Sequence, residues 1–269
     1  MSIHQLAVIH ENATIGAETT IGPFAVIGEH VTLGKGCVVG PHVVIDGHTE
    51  IGDHCAFHAG ASIGSPPQDL KYQGEQTRLI IGDNCTFREY TTVNIGTIGG
   101  GGVTRVGSQC VMMAYAHIAH DCLLGDNVIM ANSVALSGHV TIEDYAIIGG
   151  LVGVHQFVRI GAHCIIGGCS AVAQDVPPYA MASGGERARI YGLNSVGLKR
   201  RHFSAETLKA LKHAYRILFR SKLSLKHAAA QVREELPDLP EVQNLLRFVE
   251  GSERGICKGA TKAALYTGF

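Results

Sequence analysis

The 269-residue chain contains no run of eighteen apolar residues, so no segment is built to cross a bilayer as a helix. Its first residues, MSIHQLAVIHENA, lack both a basic start and a short apolar core, which argues against a secretory signal. An excess of charge is missing too. The formal net charge is -1, which removes the global basic field that nucleic-acid binding usually needs. Eight cysteines are present without a single C-x-x-C pair, so their spacing fits neither a zinc ribbon nor a disulfide framework. These absences predict a soluble, cytoplasmic protein with no nucleic-acid partner and no transmembrane segment. The length suits one large domain or two modest ones around an ample core.

What is present is a period of six. Stepping from Ile9 through Ile63, then Ile81 to Val93, then Val106 to Val172, all 25 sites are apolar. A background of 46% apolar residues gives odds on the order of 10⁻⁸ for that outcome. Glycine follows the aliphatic residue in about half of the hexads, as at Gly16, Gly22 and Gly28. Two residues before it stands a small or β-branched residue, such as Ala13, Thr19 or Val31. Cys37, Cys55, Cys85, Cys110, Cys122 and Cys164 occupy that same slot, and are read as small core residues.

One short strand and one corner per hexad, three to a coil of 18, make a parallel β-helix. From Ser204 the pattern turns helical, with Ser204 and Ser224 as N-caps and Pro240 in a first turn. Three helices are expected over 204–220, 224–235 and 240–252. The chain is therefore divided into a β-helix domain, 1–190, and a small α-helical C-terminal domain, 191–269.

The three sides define columns a, b and c, with Ile81 and Val106 in column a. The interruptions 64–80 and 94–105 then both leave after a column c strand, from one corner. Column c also carries Ile118, Leu136 and Val154, so His120, Gly138 and Gln156 stack at that corner beside His139 and His155. His30, His42, His48, His54 and His163 share a common offset from the aliphatic site and read as turn residues. His120 departs from that offset, has Asp121 next to it, and faces the loops. A neutral imidazole there can act as general base near pH 7, and the Gly138 N–H can serve an oxyanion. The rival chemistry is zinc held by histidines from neighbouring coils, as in the hexapeptide-repeat carbonic anhydrases. The HIAH spacing is unlike that motif, so no metal and no cofactor are expected. A non-catalytic solenoid scaffold would explain the repeat but leave the loops and histidines unaccounted for.

The hexads resemble those of the hexapeptide-repeat acyltransferases, whose coil is left-handed against the usual crossover preference. HIAHDC, QDLKY, GGCS, AQDVPPY, LNSVGLKRR and AYRILFRS, in that order over nearly the full length, resemble the UDP-N-acetylglucosamine O-acyltransferase family of lipid A biosynthesis. The resemblance implies transfer of an R-3-hydroxyacyl chain from acyl carrier protein to the glucosamine 3-hydroxyl, in a homotrimer with active sites between subunits. It implies His120 as general base, Asp121 as its polarising neighbour and Gly138 as oxyanion donor. Gln68, Asp69 and Lys71 would hold the sugar nucleotide, with Lys71 toward its phosphates. His117, His139, His155, Gln156, Asn194 and Arg200 match positions that contact substrate, and Gly168 lies along the groove that measures the acyl chain.

Three features depart from the family's pattern. NIG stands where HRG or NRG is common, so Ile95 removes an arginine. Val196 replaces a glutamate, and the tail CKGATKAALYTGF runs past the usual end. The first two bear on the nucleotide contacts and leave open an amino-sugar acceptor, acylated to an amide. The sister N-acyltransferase carries an additional N-terminal domain, whereas the hexads here start at Ile9. Lys199, Arg200, Arg201, Arg216, Arg220, Lys222 and Lys226 would receive the acidic carrier protein, or else form a solvated face.

Overall fold

A computed structural model describes residues 1–221 and 223–260. Each hexad contributes a strand of two to four residues, and every strand hydrogen-bonds in parallel to those one coil before and after it. The three columns become three sheets of 8, 11 and 9 strands for a, b and c, closed into a left-handed parallel β-helix. The stepped aliphatic sites are buried from Ile21 to Val172, and only Ile9 and Ile15, at the open N-terminal end, remain half-exposed. Burying each such side chain contributes about 1.5–3 kcal/mol, which is why so short a strand persists in every coil. The six cysteines of the repeat are fully buried beneath them. Hydrogen bonding along the thiol column, lowering from one neighbour and raising from the other, combines with burial to hold Cys55 and Cys85 up at about 12, and burial does the same for Cys122, so these three stay protonated fillers.

The corners demand a left-handed residue three places after the aliphatic site. Phe24, His42, His54, Tyr115, Asp121, His139, Phe157 and His163 all adopt φ between 54° and 65° there. Rings in this slot stack from coil to coil, as Tyr90 on Tyr115 at 5.3 Å and Tyr145 on His163 at 4.9 Å. His30 and His48 stack at 4.2 Å without the left-handed backbone. The strands flanking the insertions reach further than the hexad count predicts. Arg78–Ile81 and Val103–Val106 pair over four residues, because Leu79 and Thr104 already fill the buried slot of the repeat. The excursions proper span 66–77 and 95–102.

A strand pair absent from the sequence reading closes the last coil: Ala180–Ser183 runs parallel to Ile165–Ile166 and antiparallel to Arg189–Leu193. A short helix, α1 (Ser195–Arg200), was not anticipated either. The three expected helices follow as α2 (Ala205–Arg220), α3 (Leu225–Glu235) and α4 (Pro240–Glu250), with Ser204 and Ser224 accepting the Thr207 and His227 N–H groups as N-caps. Arg201 and Arg220 serve packing: Arg201 lies 3.9 Å over the Tyr145 ring, and Arg220 donates to the Ala260 and Tyr191 carbonyls. Lys222 and the tail from Thr261 lie outside the described residues. The earlier tail residues fold back, Ile256 bridging Asp175 and Gly259 bridging Ile190. No helix among the described residues is long and apolar enough to cross a membrane.

Candidate active site

His117 and Ile118 form the column c strand that delivers HIAHDC to the corner between columns c and a. His120 follows, 15% exposed, and its Nδ1 lies 2.7 Å from Asp121 Oδ2. Asp121 takes the left-handed corner slot at φ 60°, which an aspartate tolerates, and this turns its carboxylate inward until the side chain has no exposed surface. The buried carboxylate is satisfied by the second excursion: Thr97 donates its N–H to Oδ1 at 2.8 Å and its hydroxyl to Oδ2 at 2.6 Å. The Asp121 N–H donates to Thr104 Oγ1 at 2.8 Å. With Nδ1–H donating its hydrogen bond to the carboxylate, His120 Nε2 is left free to accept a proton, the arrangement of a general base.

Two glycines make room for this pair. A Cβ on Gly138 would stand 2.5 Å from His120 Cε1 and 2.7 Å from Nε2, so only a residue without a side chain lets the His120 ring lie against this backbone. A Cβ on Gly100 would overlap the Asp121 carboxylate. His139 meets His120 edge-on at 5.2 Å and brings Nε2 to 3.7 Å from Asp121 Oδ2. One ligand atom from each of His120, Asp121 and His139 lies within 4.8 Å of the others, but Oδ2 already accepts hydrogen bonds from Thr97 and His120. His117 bonds Thr92 Oγ1 through Nδ1 at 2.7 Å, and burial, then the nearby His120, lowers its pKa, holding it neutral at pH 7.

Both excursions are tied to this corner. Asn94, nearly buried, donates to the Ser65 and Pro66 carbonyls, and Thr77 Oγ1 donates to the Gly96 carbonyl at 2.6 Å. Between them opens a cleft of about 380 Å³ whose walls include Asp69, Lys71, Tyr72, Thr97, His139 and Phe157. QDLKY therefore reaches the corner as expected, with Asp69 and Lys71 in the wall and Gln68 exposed on the loop. Ile95 turns the other way, into a second cavity of about 410 Å³ beside His30 and His48.

His155 and Gln156 stand exposed one coil above Gly138. Three of the expected residues sit elsewhere in the single chain. Asn194 caps α1, accepting the Gly197 N–H, and its Nδ2 donates to the His163 carbonyl at the corner between columns a and b. Arg200 is exposed at the end of α1. Gly168 follows a column b strand, at the corner toward column c. The sequence reading missed Thr97, Thr104, Tyr72 and Phe157. Phe157 had a signal, since it occupies the corner slot 18 residues after His139 and stacks on it at 4.5 Å.

A family model described as UDP-N-acetylglucosamine O-acyltransferase, domain 2, matches residues 175–257, and one for bacterial transferase hexapeptide repeats matches 30–65. An acyl-[acyl-carrier-protein]–UDP-N-acetylglucosamine O-acyltransferase of Thermodesulfovibrio yellowstonii is 54% identical over 95% of this chain and 99% of its own. One from Anaeromyxobacter dehalogenans is 52% identical over 96% and 100%. The solved LpxA of Acinetobacter baumannii superposes with a TM-score of 0.93 at 42% identity, over 96% of this chain and 100% of that one. Similarity of this extent, over the coil, both excursions and the helices alike, places the chain in the UDP-N-acetylglucosamine O-acyltransferase family.

Proposed function

We propose that this protein transfers an R-3-hydroxyacyl group from acyl carrier protein to the glucosamine 3-hydroxyl of UDP-N-acetylglucosamine, the first step of lipid A biosynthesis, in the cytoplasm. The observation that carries the reading is the His120–Asp121 pair, held by Thr97 at the edge of a cleft walled by Asp69 and Lys71. His120 Nε2 removes the proton of the sugar hydroxyl as its oxygen attacks the thioester carbonyl. The Gly138 N–H stabilises the oxyanion, and collapse expels the carrier's thiolate, which takes the proton back from the imidazolium. Gln68, Asp69 and Lys71 hold the nucleotide, and His117, His139, His155 and Gln156 contact substrate around the base.

A homotrimer fits this chemistry. Gly168, Asn194 and Arg200 lie away from the His120 corner of their own chain, and a second copy would bring them to the groove if they contact substrate as the resemblance implies. Column b supplies a surface for that copy: Val38, Val111, Ile129, Ile147 and Ile165 point outward in one ladder, while column a presents Glu50, Arg105 and Arg159. Ile147→Glu should dissociate the oligomer and abolish most transfer; a trimer that survives by sedimentation removes column b from the interface.

The defining assay offers carrier proteins bearing different acyl chains to both candidate acceptors, UDP-N-acetylglucosamine and its 3-amino analogue, with a chelator present, and identifies products by mass. An ester on the first acceptor supports the reading, and no product from any donor refutes it. Chain length is set at Gly168, whose missing side chain leaves room for acyl groups of about 12 to 14 carbons. A Cβ there would sit 3.2 Å from the Gly150 carbonyl, and a longer side chain must fill the space beyond. Gly168→Met should shift preference toward shorter chains by roughly tenfold per two methylenes excluded. An unchanged ranking in competition would take Gly168 out of the groove's end.

A further inference from the structure

After α4 the chain returns to the coil and is pinned by Asp175, a fully buried carboxylate. Asp175 accepts the Arg159 N–H at 2.8 Å and the Ser252 hydroxyl at 2.7 Å. Its own N–H donates to the Gly255 carbonyl at 2.9 Å, and its carbonyl accepts the Cys257 N–H at 2.8 Å. Arg254 is thereby fixed between anchored neighbours. Its Nη2 donates to the Ala173 carbonyl at 3.2 Å and lies 3.2 Å from His155 Nδ1.

His155 Nδ1 is also 3.2 Å from the Gln156 carbonyl. The two contacts make opposite demands. Toward the carbonyl the nitrogen must carry a proton; toward a guanidinium, which has donors only, it must be bare. We propose that Arg254 is a positioning residue that holds His155 in its Nε2–H tautomer, so that His155 meets its ligand as a hydrogen-bond donor. Without Arg254, Nδ1 takes the proton, donates to the Gln156 carbonyl, and Nε2 becomes an acceptor. A donor selects an oxygen acceptor, such as the carbonyl of a substrate amide, where an acceptor would select a hydroxyl or N–H. The place suits that task. Arg254, Arg159 and Asp175 line a cavity of about 420 Å³ that meets the His139 cleft at Phe157. The functional half of this inference rests on the acyltransferase reading; the tautomer does not.

The test uses the full chain labelled with ¹⁵N-histidine, at a pH above the ordinary histidine range. Long-range ¹H–¹⁵N correlation of wild type and Arg254→Met, with His155→Gln to assign the signal, reads the tautomer directly. The expected result is Nε2–H in wild type and Nδ1–H in Arg254→Met, with KM raised about tenfold and kcat within about twofold. Nδ1–H in wild type overturns the proposal even if the variant does not fold, and an identical tautomer in both proteins overturns it equally. A tautomer change with unaltered KM removes its functional half. The predicted tautomers in a protein that acylates nothing would instead refute the acyltransferase reading and leave Arg254's role standing.

Discussion

His120→Ala should leave a folded protein whose acyl transfer is lowered by ~10²-fold or more, the usual scale for loss of a general base. The fold survives because the ring sits at a corner, outside the aliphatic ladder, and its direct hydrogen bond is to Asp121 alone among the described residues. Losing that bond to a buried carboxylate costs about 1.5–3 kcal/mol, and Asp121 keeps both bonds from Thr97. Steady-state rates with saturating acyl carrier protein, alongside thermal melting, separate the two effects. Near-normal turnover in a folded variant would remove His120 from the mechanism.

The second large effect is expected at Asp121, where two substitutions do different things. Asn keeps the left-handed corner without penalty and can still satisfy Thr97. Its amide, however, presents a donor to His120 Nδ1 and drives the proton onto Nε2, leaving no base. Asp121→Asn should therefore fold normally and lose ~10²-fold to 10⁴-fold in kcat. Asp121→Ala should lose as much activity and also about 2–4 kcal/mol of stability. It strands the Thr97 N–H in the interior and puts a Cβ without side-chain bonding into the left-handed region. If Asp121→Asn turns over like wild type, the carboxylate does not set the tautomer of His120.

The coil was legible because each hexad repeats one physical demand: an aliphatic residue to bury, a small one beneath it, a corner. The phase of that count alone put both excursions and His120 at one corner, and Ser204, Ser224 and Pro240 marked the helices through ordinary capping chemistry. Offset from the ladder was a poorer guide within the corner. It singled out His120, yet His139 shares the offset of the turn histidines and still faces Asp121 across 3.7 Å, because its left-handed slot opens onto the cleft instead of onto solvent. Thr97 could not be found, since its role depends on how a non-repeating loop folds over a buried carboxylate 24 residues away. The six residues of α1 are too few to show a helical period, and the contact between Arg254 and His155 spans 99 residues.

The column of thiols has an experimental use of its own. Cys37, Cys55, Cys85 and Cys110 lie in successive coils of one sheet, sealed from solvent, while Cys169 is exposed. A thiol reagent would label Cys169 at once and the others only when their coil opens. In a solenoid whose coils touch only their neighbours, stability is a sum along a line and opening begins at an end. The order in which Cys37, Cys55, Cys85 and Cys110 become labelled would then act as a tape measure of fraying. It would record how far a melt has travelled from the N-terminal coil and at which coil along the axis it halts.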